Sequence, residues 1–208
     1  MPSGETNLLF FGTALLLAFT PGPDNLFVLI QSATEGRKAG ILVVLGLCTG
    51  LLVHTAAVTF GLAALFAASA AAFTVLKFAG AGYLAYLAWQ AFRAPVGEQM
   101  GEKRATGSAW QLYVRGIVMN LTNPKVVLFF LAFLPQFVRP EVGSVALQLA
   151  WFGILFIFST LLAFSVIAHL AGHFGERLRR SETAQRVMNR AAAVVFAGLA
   201  LKLVTSRR

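Results

Sequence analysis

The sequence contains little charge, and two long parts of it contain none. Only 12% of the 208 residues are Asp, Glu, Lys or Arg, and 58% are hydrophobic, whereas soluble domains carry about 25% charged residues. Residues 39–76 and 142–175 hold no charged side chain. One helix through the first run would be about 57 Å long, nearly twice a bilayer core of about 30 Å, so the run must turn, around residues 67–72. These absences exclude an ordinary soluble domain and a disordered chain and predict an all-α integral membrane protein.

Cysteine is nearly absent as well. Cys48 is the single cysteine, which excludes an intramolecular disulfide, a cysteine-rich zinc site and a paired-thiol electron relay. His169 and His173 stand four residues apart with no evident third ligand, and no Gly-Lys-Ser/Thr phosphate loop occurs. The sequence therefore predicts no metal, no cofactor and no ATP hydrolysis. No nucleophile–base arrangement suggests an enzyme.

Six apolar segments predict six transmembrane helices. The spans are residues 8–30, 40–66, 74–92, 116–138, 144–171 and 187–204. The chain then forms one transmembrane transporter domain, residues 1–208, in which residues 93–115 are a cytoplasmic loop between two halves of three spans. The first half is residues 1–92 and the second is residues 116–208.

The net charge of +9 reports the orientation of these spans. Eleven of the seventeen Lys and Arg residues fall in the first, third and fifth loops, and basic loops stay on the cytoplasmic side. We expect the odd loops to be cytoplasmic and both termini periplasmic. The basic stretch 174–189 either lies on anionic lipid or is solvated. The charge therefore indicates contact with membrane lipids and not with nucleic acid.

The first span is interrupted by proline. Pro21 and Pro23 lack backbone donors, and Gly22 between them permits unusual dihedral angles. A helix cannot pass through this stretch unbroken, so the carbonyls freed around residues 18 and 19 need other partners. Asp24 and Asn25 then stand in capping positions of a new half-helix.

The fourth span repeats this device at Asn123, Pro124 and Lys125. A shift of 102 residues superposes four identical pairs: Thr20 on Thr122, Leu26 on Leu128, Phe27 on Phe129 and Leu29 on Leu131. Two halves with three spans each insert with opposite orientation. The expected fold is therefore two inverted three-helix repeats whose first and fourth helices are interrupted at proline motifs. Paired interruptions of this kind point to a transport site near the membrane midplane.

Asp24 and Lys125 are the two charges embedded in these interrupted spans. Each costs about 2.5–3.5 kcal/mol at the bilayer centre unless it is paired or hydrated. In one interpretation they form a static ion pair, or one of them lies at the membrane interface. In the other they line an aqueous cavity that binds a zwitterionic amino acid, with its ammonium near Asp24 and its carboxylate near Lys125. Asp24 could instead carry a coupling proton. The candidate substrate and ion site comprises Pro21, Gly22, Pro23, Asp24, Asn25, Asn120, Asn123, Pro124 and Lys125.

Two further ionisable residues are secondary candidates. His54 shares a helix face with Gly46 and Gly50 at four-residue spacing, so the glycines favour close helix packing. His54 then either bonds a neighbouring helix or relays protons. Lys77 lies early in the third span and either snorkels outward or faces the cavity.

At these motifs the sequence resembles the LysE/RhtB family of bacterial amino-acid exporters. The shared segments lie in order along nearly the whole chain: residues 21–25, 36–40, 77–84, Gly116, 120–125, Phe129 and 135–137. The resemblance implies a multi-pass protein of the bacterial inner membrane that exports amino acids or close relatives, driven by the proton gradient. It places the broken-helix signatures at residues 21–25 and 123–125. The family commonly shows Asn or Asp at the position of Asp24.

Other functions make different demands. A passive channel would conduct without a pH gradient, and a structural membrane partner would transport nothing. A membrane thiol-redox carrier needs two cysteines at its cavity, and the chain has one. The expected partners are therefore an amino-acid substrate, protons and membrane lipids, with a homodimer left open.

Overall fold

The computed structural model describes residues 2–68, 70–93 and 108–205. Within these ranges it leaves out the side chains of residues 62–68, 70–73, 76–77, 172–180, 184, 188, 192 and 202. All regular structure in the described ranges is helical, so the all-α prediction is confirmed. Most of the predicted cytoplasmic loop, residues 94–107, lies outside them.

The first predicted span is two helices joined at an angle. Helix α1 covers Gly4–Phe19 and helix α2 covers Pro23–Glu35. Their axes differ by 60°. The bend falls at the Pro-Gly-Pro stretch because two missing backbone donors interrupt the hydrogen-bond ladder there. The predicted interruption of the first helix is confirmed.

The fourth predicted span is broken in the same manner. Helix α5 covers Ala109–Thr122 and helix α6 covers Pro124–Leu128. The chain continues through a π-helical turn, Phe129–Phe133, and a 3-10 turn, Leu134–Phe137, and the two parts differ by 50°. Pro124 stands at the first position of α6, where its missing N–H has no partner to lose.

Long helices complete each half. Helix α3 covers Arg37–Ala68, α4 covers Ala70–Arg93, α7 covers Val145–Arg180 and α8 covers Glu182–Thr205. The predicted turn around residues 67–72 includes residue 69, which lies outside the described residues, so it stays a prediction. By length and apolar composition, three helices of the described chain could cross a membrane, or up to five when each bent pair counts as one span.

The two halves pack against each other through their long helices. Helix α3 packs against α5 and α7, α1 and α2 pack against α7, and α4 packs against α8. The contact of α1 with α7 corresponds to that of α5 with α3, whereas the extensive packing of α2 on α7 and α3 has no equivalent in α6. Large side chains on the outer faces are exposed, such as Phe60 at 79% and Leu8 at 74%, as expected of surfaces that meet lipid.

Glycine brings α3 and α5 into backbone contact. A Cβ atom on Gly46 would collide with the carbonyl oxygen of Tyr113, and one on Gly116 with the carbonyl oxygen of Val43. The Cα atom of each glycine lies 3.0 Å from the Cβ position of the other. Small residues at such contacts let transmembrane helices approach closely, as the spacing of Gly46 and Gly50 predicts.

Replacing Gly46 by alanine is expected to destabilise the protein. The added methyl group forces α3 away from α5, at a cost of about 1–3 kcal/mol for an overpacked site. Gly61 lies on the same helix with nothing within 4 Å of its Cβ position, so Gly61→Ala should be neutral or stabilising by up to about 1 kcal/mol. Thermal unfolding in detergent, followed by size exclusion, measures both. Equal midpoints for the two variants would contradict this account of the contact.

Candidate functional site

The first break is held together by backbone and amide hydrogen bonds. The N–H of Thr20 donates to the carbonyls of Leu16 and Leu17, and the Asn25 amide donates to the carbonyl of Ala18 at 2.6 Å. The freed carbonyl of residue 18 thus gains a partner, as the sequence predicts. The capping prediction for Asp24 and Asn25 is wrong, however. Gly22 is the cap of α2, without a side-chain bond, because Pro23 begins the helix and leaves both polar residues in its first turn.

The second break is shorter and is closed by one asparagine. Asn123 ends α5 and caps α6: its N–H donates to the carbonyl of Asn120 at 3.1 Å, and its side-chain oxygen accepts from the N–H of Lys125 at 3.0 Å. Helices α2 and α6 begin at Pro23 and Pro124, 101 residues apart. Helices α1 and α5 end 103 residues apart. The 102-residue shift therefore lies between the registers before and after the breaks, which differ by two because the first break has three linking residues and the second has one.

Lys125 joins the two breaks. Its side chain is buried, and its Nζ atom donates to the backbone oxygen of Thr20 at 2.9 Å. Gly22 leaves room for it, since a Cβ there would lie 3.4 Å from Nζ. The ring of Phe196 on α8 lies 5.8 Å from Nζ. A cation at the carboxyl end of α1 is stabilised by the exposed carbonyls of that end.

Asp24 occupies the same buried region. Its Oδ2 atom accepts a long hydrogen bond of 3.5 Å from the Asn120 amide, and the Asn123 side chain lies beside the same carboxylate. Its Oδ1 atom has no hydrogen-bond partner among the described residues. The first turn of α2 stabilises a negative charge there through the amino end of the helix.

The two embedded charges share a site without a direct ion pair. Within the described chain, Lys125 bonds a backbone carbonyl and Asp24 bonds an amide. The direct hydrogen-bond partners of the two charges are thus a backbone carbonyl and an amide, and the charges also attract each other across the site. One oxygen of Asp24 and the Oδ1 atom of Asn25 are buried acceptors without partners, and a donor such as a primary ammonium could satisfy them.

The secondary candidates differ in what the structure shows. The Nε2 atom of His54 lies 3.3 Å from the carbonyl oxygen of Asn120, and Gly50 makes space for the Asn120 side chain. His54 thus bonds a neighbouring helix at the edge of the site. The side chain of Lys77 lies outside the described residues. No group of three His, Cys, Asp or Glu residues that could hold a metal occurs in the described part of the chain.

One contact of the site is not evident from the sequence. Thr20 contributes its backbone oxygen to Lys125, and the only sequence signal is its place before Pro21, where a helix loses its ladder.

Comparisons with known proteins identify a family of membrane transporters. The family model described as LysE type translocator matches residues 15–207. A homoserine/homoserine lactone efflux protein of Salmonella typhimurium is 31% identical over 195 residues, 94% of each chain. The uncharacterized membrane protein YahN of Escherichia coli is 31% identical over 199 residues, 94% of this chain and 87% of that protein.

A more distant relative comes from another bacterial lineage. The uncharacterized membrane protein YrhP of Bacillus subtilis is 26% identical over 204 residues, 94% of this chain and 96% of that protein. No solved structure matches the chain. The family match begins within α1 and includes both breaks and every helix from α2 to α8. The chain is a multi-pass membrane protein that belongs to the family of LysE type translocators.

Proposed function

We propose that this protein is a secondary active exporter of amino acids and close derivatives, with its substrate site between the first and fourth spans. The contact between Lys125 and the Thr20 carbonyl carries the proposal, because it joins both broken helices at one buried point. Buried charges at such breaks are typical of transporter binding sites. The efflux function in the name of the Salmonella relative supports it.

The site residues divide into binding and shaping roles. Asp24 accepts hydrogen bonds from the substrate ammonium through its unpartnered oxygen. Lys125 offers its remaining N–H groups to a carboxylate or carbonyl oxygen of the substrate. Three asparagines, Asn25, Asn120 and Asn123, hold these charges and the helix ends in place. Three prolines and a glycine shape the breaks: Pro21, Gly22, Pro23 and Pro124.

Homoserine and its lactone are the first substrates to test. Both carry a primary ammonium, and the lactone has a ring carbonyl in place of the carboxylate. A site centred on the Asp24 carboxylate binds the group that the two compounds share. Recognition of the ammonium therefore accounts for both substrates in the relative's name.

Transport proceeds by alternating access of two inverted repeats. A pair of helices bent at a proline at the start of each half, and the corresponding contacts of α1 with α7 and of α5 with α3, support a repeat of residues 1–92 and 116–208. Three spans in each half make the second half inverted. The basic odd loops then face the cytoplasm from the bacterial inner membrane, with both termini periplasmic. Proton coupling, bound lipids and a homodimer remain predictions.

Export from cells tests the function. Cells that express the protein should hold less homoserine after loading than cells without it, and an uncoupler that dissipates the proton gradient should abolish the difference. Unchanged efflux after uncoupling would indicate a passive channel. Equal retention of every amino acid and lactone tested, with and without the protein, would contradict the proposed export.

A further inference from the structure

A cluster of phenylalanine rings adjoins the site on one side. It is called the aromatic cluster here and comprises Phe10, Phe129, Phe130, Phe133, Phe137, Phe152 and Phe156. Every member is at most 6% exposed. Ring centroids lie 4.7 Å apart for Phe10 and Phe152 and 4.4 Å apart for Phe129 and Phe156. The cluster thus packs three elements together: α1, α7 and the segment that follows α6.

The aromatic cluster lies on the side of the site that leads to Arg139. Phe10 precedes the break of α1 by ten residues, about 15 Å along a helix, and Phe133 follows Lys125 by eight residues towards Arg139. The opposite side of the site is packed mainly by aliphatic side chains such as Val28 and Val43, with one buried ring, that of Phe164. The densest packing of aromatic rings therefore lies on the Arg139 side of the site.

A cavity lies beyond the aromatic cluster. It has a volume of about 150 Å³ and is lined by Thr6, Leu9, Phe133, Gln136, Phe137, Arg139 and Leu203. The backbone N–H and carbonyl of Arg139 both bond the buried side chain of Gln148, at 3.0 and 2.9 Å. The loop is therefore held in a fixed position beside the cavity. Site, rings and cavity follow one another along a path towards the Arg139 face.

The backbone of the segment that follows α6 is irregular and begins at the site. Residues Phe129–Phe133 form a π-helical turn and Leu134–Phe137 a 3-10 turn, and π turns within helices often mark functional positions. The N–H of Phe129 bonds the carbonyls of Lys125 and Val126. A movement of Lys125 is transmitted to the first ring of this segment within one turn.

We propose that the aromatic cluster is the closed gate on the Arg139 face and that the bond from Lys125 to the Thr20 carbonyl latches it. The proposal rests on the proposed function. A carboxylate or carbonyl oxygen of the substrate competes with Thr20 for the ammonium of Lys125, and a carboxylate forms the stronger bond. Release of the latch frees α6 from α1, so that Phe129 and Phe133 leave the path to the cavity.

Labelling of a single cysteine tests the gate without requiring transport. Cys48→Ala removes the native cysteine, and Thr20→Cys places a thiol at the buried break, because the latch uses only the backbone oxygen of residue 20. A membrane-impermeant maleimide is applied to vesicles of both orientations. The ring of Phe133 contacts those of Phe129 and Phe137, so Phe133→Ala should speed labelling from the Arg139 face about tenfold. Lys125→Met should do the same by removing the latch.

Controls and a second gate variant make every outcome decisive. Phe158 on α7 is 56% exposed, so Phe158→Ala should leave labelling unchanged. If Phe133→Ala does not elute as a folded protein, Phe10→Ala takes its place. Phe10 lies on α1, and this change removes its contacts with three rings of the cluster. Unchanged labelling in the folded gate variant, or faster labelling from the opposite face alone, overturns the gate. Unchanged labelling in Lys125→Met overturns the latch. Gated labelling without export of any amino acid would contradict the proposed function and leave the gate intact.

Discussion

Replacing Asp24 by asparagine is expected to reduce export about 100-fold, since losing one partner of a buried charge-assisted contact costs several kcal/mol. Asparagine keeps the size of the side chain and an oxygen that accepts from Asn120. It removes the negative charge that binds the substrate ammonium. The folded protein should remain intact, because a neutral group is cheaper to bury than a carboxylate.

Initial rates of homoserine efflux from preloaded cells measure this effect, normalised to the amount of protein in the membrane. Glu141 offers a matched control, since it is an exposed carboxylate in a short turn. Glu141→Gln should retain the wild-type rate. Efflux by Asp24→Asn within about twofold of the wild type would remove Asp24 from the site.

Lys125→Met is expected to be equally deleterious, and combining it with Asp24→Asn should not restore export. Losing the ammonium leaves the Thr20 carbonyl buried without a partner, an effect of about 1–3 kcal/mol, and removes the donor for the substrate. If the two residues formed only a static ion pair, the neutral double variant would leave no charge unpaired and would recover. The structure favours continued loss of export in the double variant, because neither charge is the direct partner of the other.

The same efflux measurement applied to both single variants and the double variant decides between these alternatives. Lys38→Met makes the identical change at an exposed position and should retain export. Recovery of the double variant to the level of Lys38→Met would mean that the two charges serve only each other. Inactivity of all three site variants, with normal amounts of protein, supports separate roles in binding.

Much of the fold follows from local features of the sequence. A charge-free run too long for one span requires a turn within it, and proline interrupts a helix at any position beyond its first turn. Glycines at four-residue spacing likewise indicate the face of α3 that meets α5. Each of these inferences depends only on the geometry of a single helix and on the thickness and apolar character of the membrane, both of which can be applied to the sequence directly.

The details of the site depend on three-dimensional contacts and escape such inference. The amide of Asn25 caps the preceding helix through Ala18 and not its own helix, because Gly22 already fills the cap position. The number of linking residues at each break sets the register, and four identities do not resolve a shift of one residue. The bond from Lys125 to Thr20 joins residues 105 apart, and no periodicity indicates it.

Counterflow in liposomes that contain only the purified protein tests the central claim most directly. Vesicles loaded with unlabelled homoserine should take up labelled homoserine rapidly with the wild-type protein and Glu141→Gln, and about 100-fold more slowly with Asp24→Asn. Equal uptake by Asp24→Asn, or uptake by the wild type no faster than in empty liposomes, would contradict a homoserine exporter built around the two broken helices.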